Sequence, residues 1–247
     1  AFDMNKGTRL WVKQVTPKDA FLIGCPPGST RENCPTPVGP DYDFGSSPML
    51  RELPGGKRVL VIGQKSGVLW GIDPDNKGEL LWEFRAGKGG ALGGIEWGTA
   101  ADLVNAYAPV ADVHLPPQEQ GGIYAVNLAT GKQVWYAPPA KLTCTPGIGC
   151  AAGQSAAIAV IPGAVFSGAV DGHLRAYSTK DGSVIWDYNT SQNYQTVNNV
   201  KANGGSINAA GPVIVNGMLF TTSGYSLWRG KGGNVLLAFA PAEKAKK

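Results

Sequence analysis

One short motif returns along this 247-residue chain at a spacing of roughly 50 residues, and it limits the possible folds more than any other feature. Each copy ends an apolar strand on a small residue, turns through an Asp, Asn or Ser to Gly, and runs on to Trp. The copies read Gly71-Ile72-Asp73 to Gly78 and Trp82, Ala125-Val126-Asn127 to Gly131 and Trp135, and Ala176-Tyr177-Ser178 to Gly182 and Trp186. Another opens the chain, from Ala1-Phe2-Asp3 to Gly7 and Trp11, and the start of one more closes it at 236–241. Glycine turns of this kind suit tight hairpins because they accept positive φ beside a twisted ladder. Chance recurrence in a Gly-rich β protein is a weak alternative, since the copies share one register. Self-similarity at this period is the signature of a propeller or a solenoid, whose units must stack to bury their apolar faces.

The 35 Gly and 18 Pro are periodic, so they mark turns rather than disorder. Only 16% of residues are charged, which suits strands buried between sheets. The net charge of +4 comes with no basic cluster interleaved with aromatics, so nucleic acid binding is not expected. The basic residues Lys244, Lys246 and Lys247 read as a solvated end. No apolar run reaches membrane-spanning length, and no signal peptide is visible at the start. Because the first residues lie inside a hairpin, a mature piece or a fragment is expected.

The four cysteines fall in two near pairs, Cys25 with Cys34 and Cys144 with Cys150, each in a Pro/Gly-rich loop. No Cys-x-x-Cys-His occurs, and His114 and His173 show no ligand spacing, so two local disulfides are expected over metal binding. They imply an oxidising compartment, periplasmic or secreted.

In chain order, residues 10–15 read as an outer strand that precedes the first complete blade. Strands are expected at 47–53, 58–63, 68–73 and 80–84, then at 95–100, 104–108, 122–128 and 133–137. A third set falls at 155–160, 164–169, 174–178 and 184–188. After an Asn-rich loop a last set at 211–215, 218–223 and 234–240 lacks its outer strand. This divides the chain into blades at about 41–84, 95–137, 151–189 and 205–240. The long middle connection of the second blade, 109–121, contains Pro116 and Pro117 and is expected to be an exposed excursion. Helical periodicity is nowhere sustained, so the fold class is all-β: a β-propeller of four-stranded antiparallel blades. Four blades could close if residues 10–15 completed the last one. The expectation adopted is an arc of a larger ring, completed by another chain or a missing segment.

The repeat resembles the tryptophan-docking motif of pyrroloquinoline quinone (PQQ) dehydrogenases, whose blades interlock through that Trp in an eight-bladed ring. Non-enzymatic outer-membrane assembly scaffolds carry the motif too. Two stretches are similar to the active-site segments of quinoprotein alcohol dehydrogenases. Gly39-Pro40-Asp41-Tyr42-Asp43-Phe44-Gly45 resembles the loop bearing the catalytic aspartate, which maps onto Asp43. Residues 62–70 resemble the strand end whose basic residue touches the quinone oxygens, which maps onto Lys65. With 204–211 and 222–225, the likeness points to the polyvinyl alcohol dehydrogenase-like branch.

The resemblance implies PQQ and calcium as cofactors, an alcohol as substrate and a c-type cytochrome as electron acceptor. Gly45 stands where lanthanide-using relatives carry a second carboxylate, which favours calcium. The family's calcium ligands and its cofactor-stacking tryptophan come from blades before this arc. Glu96 and Trp97 join Lys65 as candidate cofactor contacts, although packing is their ordinary role. The chemistry suits these residue types: a carboxylate takes the hydroxyl proton, and a cation stabilises charge arriving on the quinone oxygens. Without the resemblance, Asp43 reads as a turn cap and Lys65 as a hairpin flank. A non-catalytic scaffold for protein binding in the bacterial envelope is the alternative.

Overall fold

The computed structural model describes residues 1–116, 119–145 and 147–242. Pro117 and the basic residues at 244–247 lie outside the described residues. Among the described residues there is no α-helix; the ordered elements are antiparallel strands.

Blade one is a four-stranded meander of β1 (Met49–Glu52), β2 (Arg58–Gly63), β3 (Val68–Asp73) and β4 (Glu79–Arg85). Blade two repeats it with β5 (Ala100–Ala101), β6 (Asn105–Pro109), β7 (Ile123–Asn127) and β8 (Gln133–Ala137). Blade three follows with β9 (Ala159–Ile161), β10 (Ala164–Gly168), β11 (His173–Ser178) and β12 (Val184–Asn189). A separate hairpin, β13 (Asn193–Gln195) with β14 (Lys201–Asn203), comes next. Blade four has three strands, β15 (Val213–Val215), β16 (Met218–Ser223) and β17 (Val235–Phe239).

The repeat is visible in the register. Trp82, Trp135 and Trp186 pair with Gly71, Ala125 and Ala176, and each ladder slips immediately afterwards. A bulge at one place in three blades is a built feature, because it turns the strand and re-aims the side chain beside it. The Trp rings then reach the next blade. A Cβ on Gly78, Gly131 or Gly182 would lie 2.7, 2.6 and 2.6 Å from the rings of Trp11, Trp82 and Trp135. The indole nitrogens of Trp82 and Trp135 donate to the carbonyls of Leu128 and Thr179, each at 2.9 Å. Only glycine combines positive φ with room for a ring laid directly on the backbone.

The apolar core is divided between blade pairs. Val59, Val61, Leu69, Trp82, Ala106 and Val126 join blades one and two. Tyr107, Ile123, Trp135, Ile158, Val165 and Tyr177 join blades two and three. Leu174, Ile207 and Leu219, flanked by Trp186 and Phe239, join blades three and four. Burial between successive sheets makes each blade depend on its neighbours.

Four expectations are corrected. The 109–121 connection is not an exposed excursion throughout, since Val110, Ala111, Asp112, Val113 and Gln120 are buried. Residues 10–15 form no strand: the N-terminal copy is a turn with one bridge, Phe2 to Arg9, although its Trp11 still seats on Gly78. The inner strand of blade two is two residues long. Residues 95–98 run past the neighbouring blades instead, Ile95 N–H donating to the Gln64 carbonyl at 3.1 Å. The Asn-rich loop contains the hairpin β13–β14. The Cys25–Cys34 and Cys144–Cys150 disulfides are both formed.

Candidate active site

The sharp turn of Gln64, Lys65, Ser66 and Gly67 joins β2 to β3, and Lys65 stands at its corner. Its ammonium donates to Asp43 Oδ2 at 2.9 Å and to Asp41 Oδ2 at 3.1 Å. The Lys65 side chain is 18% exposed and that of Asp41 13%, whereas Asp43 is 64% exposed. One shielded cation therefore holds a shielded carboxylate on one side and an open carboxylate on the other.

The loop that presents Asp43 is tied down at both ends. Asp19 accepts the N–H groups of Asp41 (3.0 Å) and Tyr42 (2.6 Å), which holds Asp41 at φ +66°. Gln64 Nε2 donates to the Tyr42 carbonyl at 2.8 Å, and Lys65 N–H donates to the Asp43 carbonyl at 3.0 Å. Gln64 Oε1 accepts from Ser66 Oγ at 2.7 Å and Trp70 Nε1 at 3.2 Å, so the amide that grips the loop is itself oriented. Gly45 lies directly on the Glu96 carbonyl, where any side chain would collide.

Burial raises the Asp41 pKa, against the opposing hydrogen bond and charge of Lys65, and the charge of Asp43 adds to the rise. Burial works against the Lys65 charge, but its hydrogen bonds to Asp43 and Asp41 outweigh it and raise the pKa. The ammonium is therefore kept charged between two acids.

Glu96 is buried, 6% exposed, and accepts a hydrogen bond from Ser155 Oγ. Burial raises its pKa, opposed by the Ser155 bond and the charge of Lys65. Trp97 is more than one-third exposed. Among the described residues no hydrogen bond joins Glu96 or Trp97 to Lys65 or Asp43. The structure thus brings Asp43 and Lys65 together and sets Glu96 near enough to feel the Lys65 charge, whereas nothing ties Trp97 to the pair among the described residues.

Asp41, Asp19 and Gln64 escaped the sequence reading. The Gly39-Pro40 turn and the Asp-Tyr-Asp spacing were signals for Asp41, whereas nothing local marked Asp19. Among the described residues no group of three or more His, Cys, Asp or Glu side chains could hold a metal ion. Ser46 Oγ, three residues beyond Asp43, is buried without a hydrogen-bond partner.

Stacked antiparallel sheets welded by Trp-on-Gly contacts define a repeat β-propeller. The chain belongs to the PQQ_2 family, whose model, described as outer membrane protein assembly factor BamB, matches residues 1–244. It is similar to the polyvinylalcohol dehydrogenase of a Pseudomonas species, 42% identical over 250 residues, covering 97% of this chain and 39% of that protein. The Sphingopyxis sp. (strain 113P3) polyvinylalcohol dehydrogenase is 40% identical over 256 residues, with 97% and 39% covered. The chain thus spans about two-fifths of the length of these curated relatives. Two solved quinohemoprotein alcohol dehydrogenases share the fold. That of Pseudomonas putida HK5 has 15% identity, a TM-score of 0.54, and 79% of this chain and 36% of its own covered. That of Comamonas testosteroni has 14% identity, a TM-score of 0.53, and the same coverages.

Proposed function

We propose that this chain forms one arc of a PQQ-dependent dehydrogenase that oxidises secondary, including polymeric, alcohols. The observation that carries the reading is the Lys65 ammonium held between Asp41 and Asp43, with only Asp43 open to solvent. The relatives' name, polyvinylalcohol dehydrogenase, supports the substrate class.

PQQ, when bound, supplies a two-electron acceptor for the hydride. The donor set fits such a group: a shielded cation suited to quinone oxygens, with an exposed carboxylate alongside. Lys65 would hold those oxygens, and Asp43 Oδ would accept the proton of the substrate hydroxyl. Asp41 shares the ammonium and, clamped by Asp19, keeps Lys65 from swinging away. The described residues do not fit a calcium ion, and its coordination is assigned to none of them. Electrons would leave to a c-type cytochrome, and the two disulfides support an oxidising, periplasmic setting.

One unmatched turn supports completion of the ring by a further blade. Nothing lies within 4 Å of a Cβ built on Gly7, although its turn matches those that receive a Trp.

The test uses the native assembly containing this chain, assayed for PQQ and for alcohol oxidation with an artificial acceptor. Asp43→Asn should retain PQQ and lose turnover by about 10²–10⁴-fold, the usual weight of a positioned general base. Lys65→Ala should lose PQQ affinity and turnover together. An assembly without quinone, indifferent to both substitutions, would leave a protein-binding scaffold. The description of the matched family favours that second reading.

A further inference from the structure

The second blade holds a buried carboxylate that plays no part in the chemistry above. Asp112, 2% exposed, follows β6 with φ +43°, a left-handed conformation strained for a residue that carries a Cβ. Its Oδ2 accepts Lys88 N–H at 2.9 Å, and its Oδ1 accepts Gly89 N–H at 3.1 Å and Gly94 N–H at 2.6 Å. Three backbone donors thus converge on one carboxylate, as they do around anions bound in backbone nests. Such charge-assisted bonds are stronger than neutral ones, so the carboxylate organises the loop 87–94 around itself.

That loop lies against the turn that carries Lys65. Gly90 N–H donates to the Lys65 carbonyl at 3.1 Å, and Ile95 N–H to the Gln64 carbonyl at 3.1 Å. Ala86 and Gly87 N–H both donate to the Gly67 carbonyl, at 2.8 and 3.0 Å. The approach is backbone to backbone: a Cβ on Gly89 would overlap the Ser66 carbonyl, and one on Gly94 the Lys65 carbonyl. The Lys65 turn therefore has its carbonyls fixed by the loop, and the loop has its N–H groups fixed by Asp112.

We propose that Asp112 is a positioning residue, whose carboxylate gathers loop 87–94 against the Gln64–Gly67 turn and so aims the Lys65 ammonium at Asp43. The functional meaning rests on the reading of Lys65 and Asp43 as the reacting pair. The structural coupling can be read without any quinone.

The experiment observes the Lys65 ammonium protons by NMR in the chain labelled with ¹⁵N-lysine, the signal assigned by its absence in Lys65→Arg. Asp112→Gly removes the carboxylate and accepts the left-handed backbone. Exchange of the Lys65 ammonium protons with water should quicken at least tenfold, because the bonds to Asp41 and Asp43 are no longer held. Sodium formate, a carboxylate small enough for the vacated cradle, should restore slow exchange in Asp112→Gly and leave the parent unchanged. Unaltered exchange in the variant overturns the proposal. So does acceleration that formate fails to reverse, or that comes with lost amide protection throughout β1–β4, since Asp112 would then be a general fold determinant. If Asp112→Gly does not fold, Asp112→Asn keeps the shape and one acceptor oxygen; exchange equal to the parent's again overturns the proposal. Because no quinone is present, failure of the dehydrogenase reading leaves this outcome untouched. A confirmed Asp112 effect in an assembly that lacks PQQ would show the converse failure separately.

Discussion

Glu96 illustrates how one buried acid shapes the behaviour of the chain. Its carboxyl is held above its ordinary range by burial, so the folded chain binds this proton more tightly than the unfolded chain does. The associated stability is therefore complete below the unfolded pKa and is lost as pH rises through the raised folded one. Glu96→Gln cannot ionise and keeps an acceptor for Ser155 Oγ. It should match the parent near pH 4 and exceed it near pH 7, read as urea midpoints at the two pH values. A variant no more stable than the parent at pH 7 would show that the pocket tolerates the charged carboxylate. Arg175 makes the opposite case. It bonds Asp171 Oδ2 at 2.9 Å and Asp187 Oδ2 at 3.0 Å, and burial of its charge is outweighed by these partners. Arg175→Met would strand Asp171, which is buried, and should cost about 3–5 kcal/mol in denaturant unfolding.

At the scale of the element, the Trp-bearing strand and the next blade's Gly turn act as one joint. Trp135 is buried on Gly182 and lies 5.7 Å, ring centre to ring centre, from Tyr107. Trp135→Ala should cost about 3–5 kcal/mol, as for other buried aromatics. Trp186, only half-buried, should cost clearly less. The glycine half of the joint gives a sharper comparison. Gly182→Ala would meet both the left-handed strain and the Trp135 ring, whereas Gly7→Ala would meet the strain alone. Equal losses of stability in the two variants would mean that backbone strain, not ring contact, sets the requirement for glycine. The disulfides are local clasps, with sequence separations of 9 and 6 residues. Chain entropy then limits each to about 2–3 kcal/mol, so double Cys→Ser replacement of one pair should lower the unfolding midpoint without abolishing the fold.

For the molecule as a whole, stability should follow the number of neighbours each sheet has. Blades two and three are covered on both sides by buried clusters, whereas blade four, among the described residues, is a three-stranded sheet with β17 at its edge. In the isolated chain, native-state hydrogen exchange should therefore protect β6, β7, β10 and β11 most and β15–β17 least, with blade four opening before the rest. Uniform protection across all four sheets would contradict nearest-neighbour stacking.

The sequence alone determined the sheets and the joints between them, because both rest on local rules. The apolar runs of β2 and β3, the positive-φ glycines and the Trp one strand later are written within short windows. The windows recur, so each copy corroborated the others. The pairing of Asp43 with Lys65 was also within reach, since both belong to motif stretches of one blade. Only the tertiary structure decided what surrounds that pair. Asp19 clamps Asp41 from 22 residues away, Ser155 serves Glu96 from 59, and Asp112 governs a glycine loop that covers the Lys65 turn. It also decided that residues 10–15 stay out of a ladder while Trp11 still docks, and that residues 193–203 close into a hairpin. The physical reason is the same throughout. A hairpin is selected by backbone conformation within a dozen residues, but the partner of a buried charge is whichever group the stacking of successive blades brings within hydrogen-bond reach.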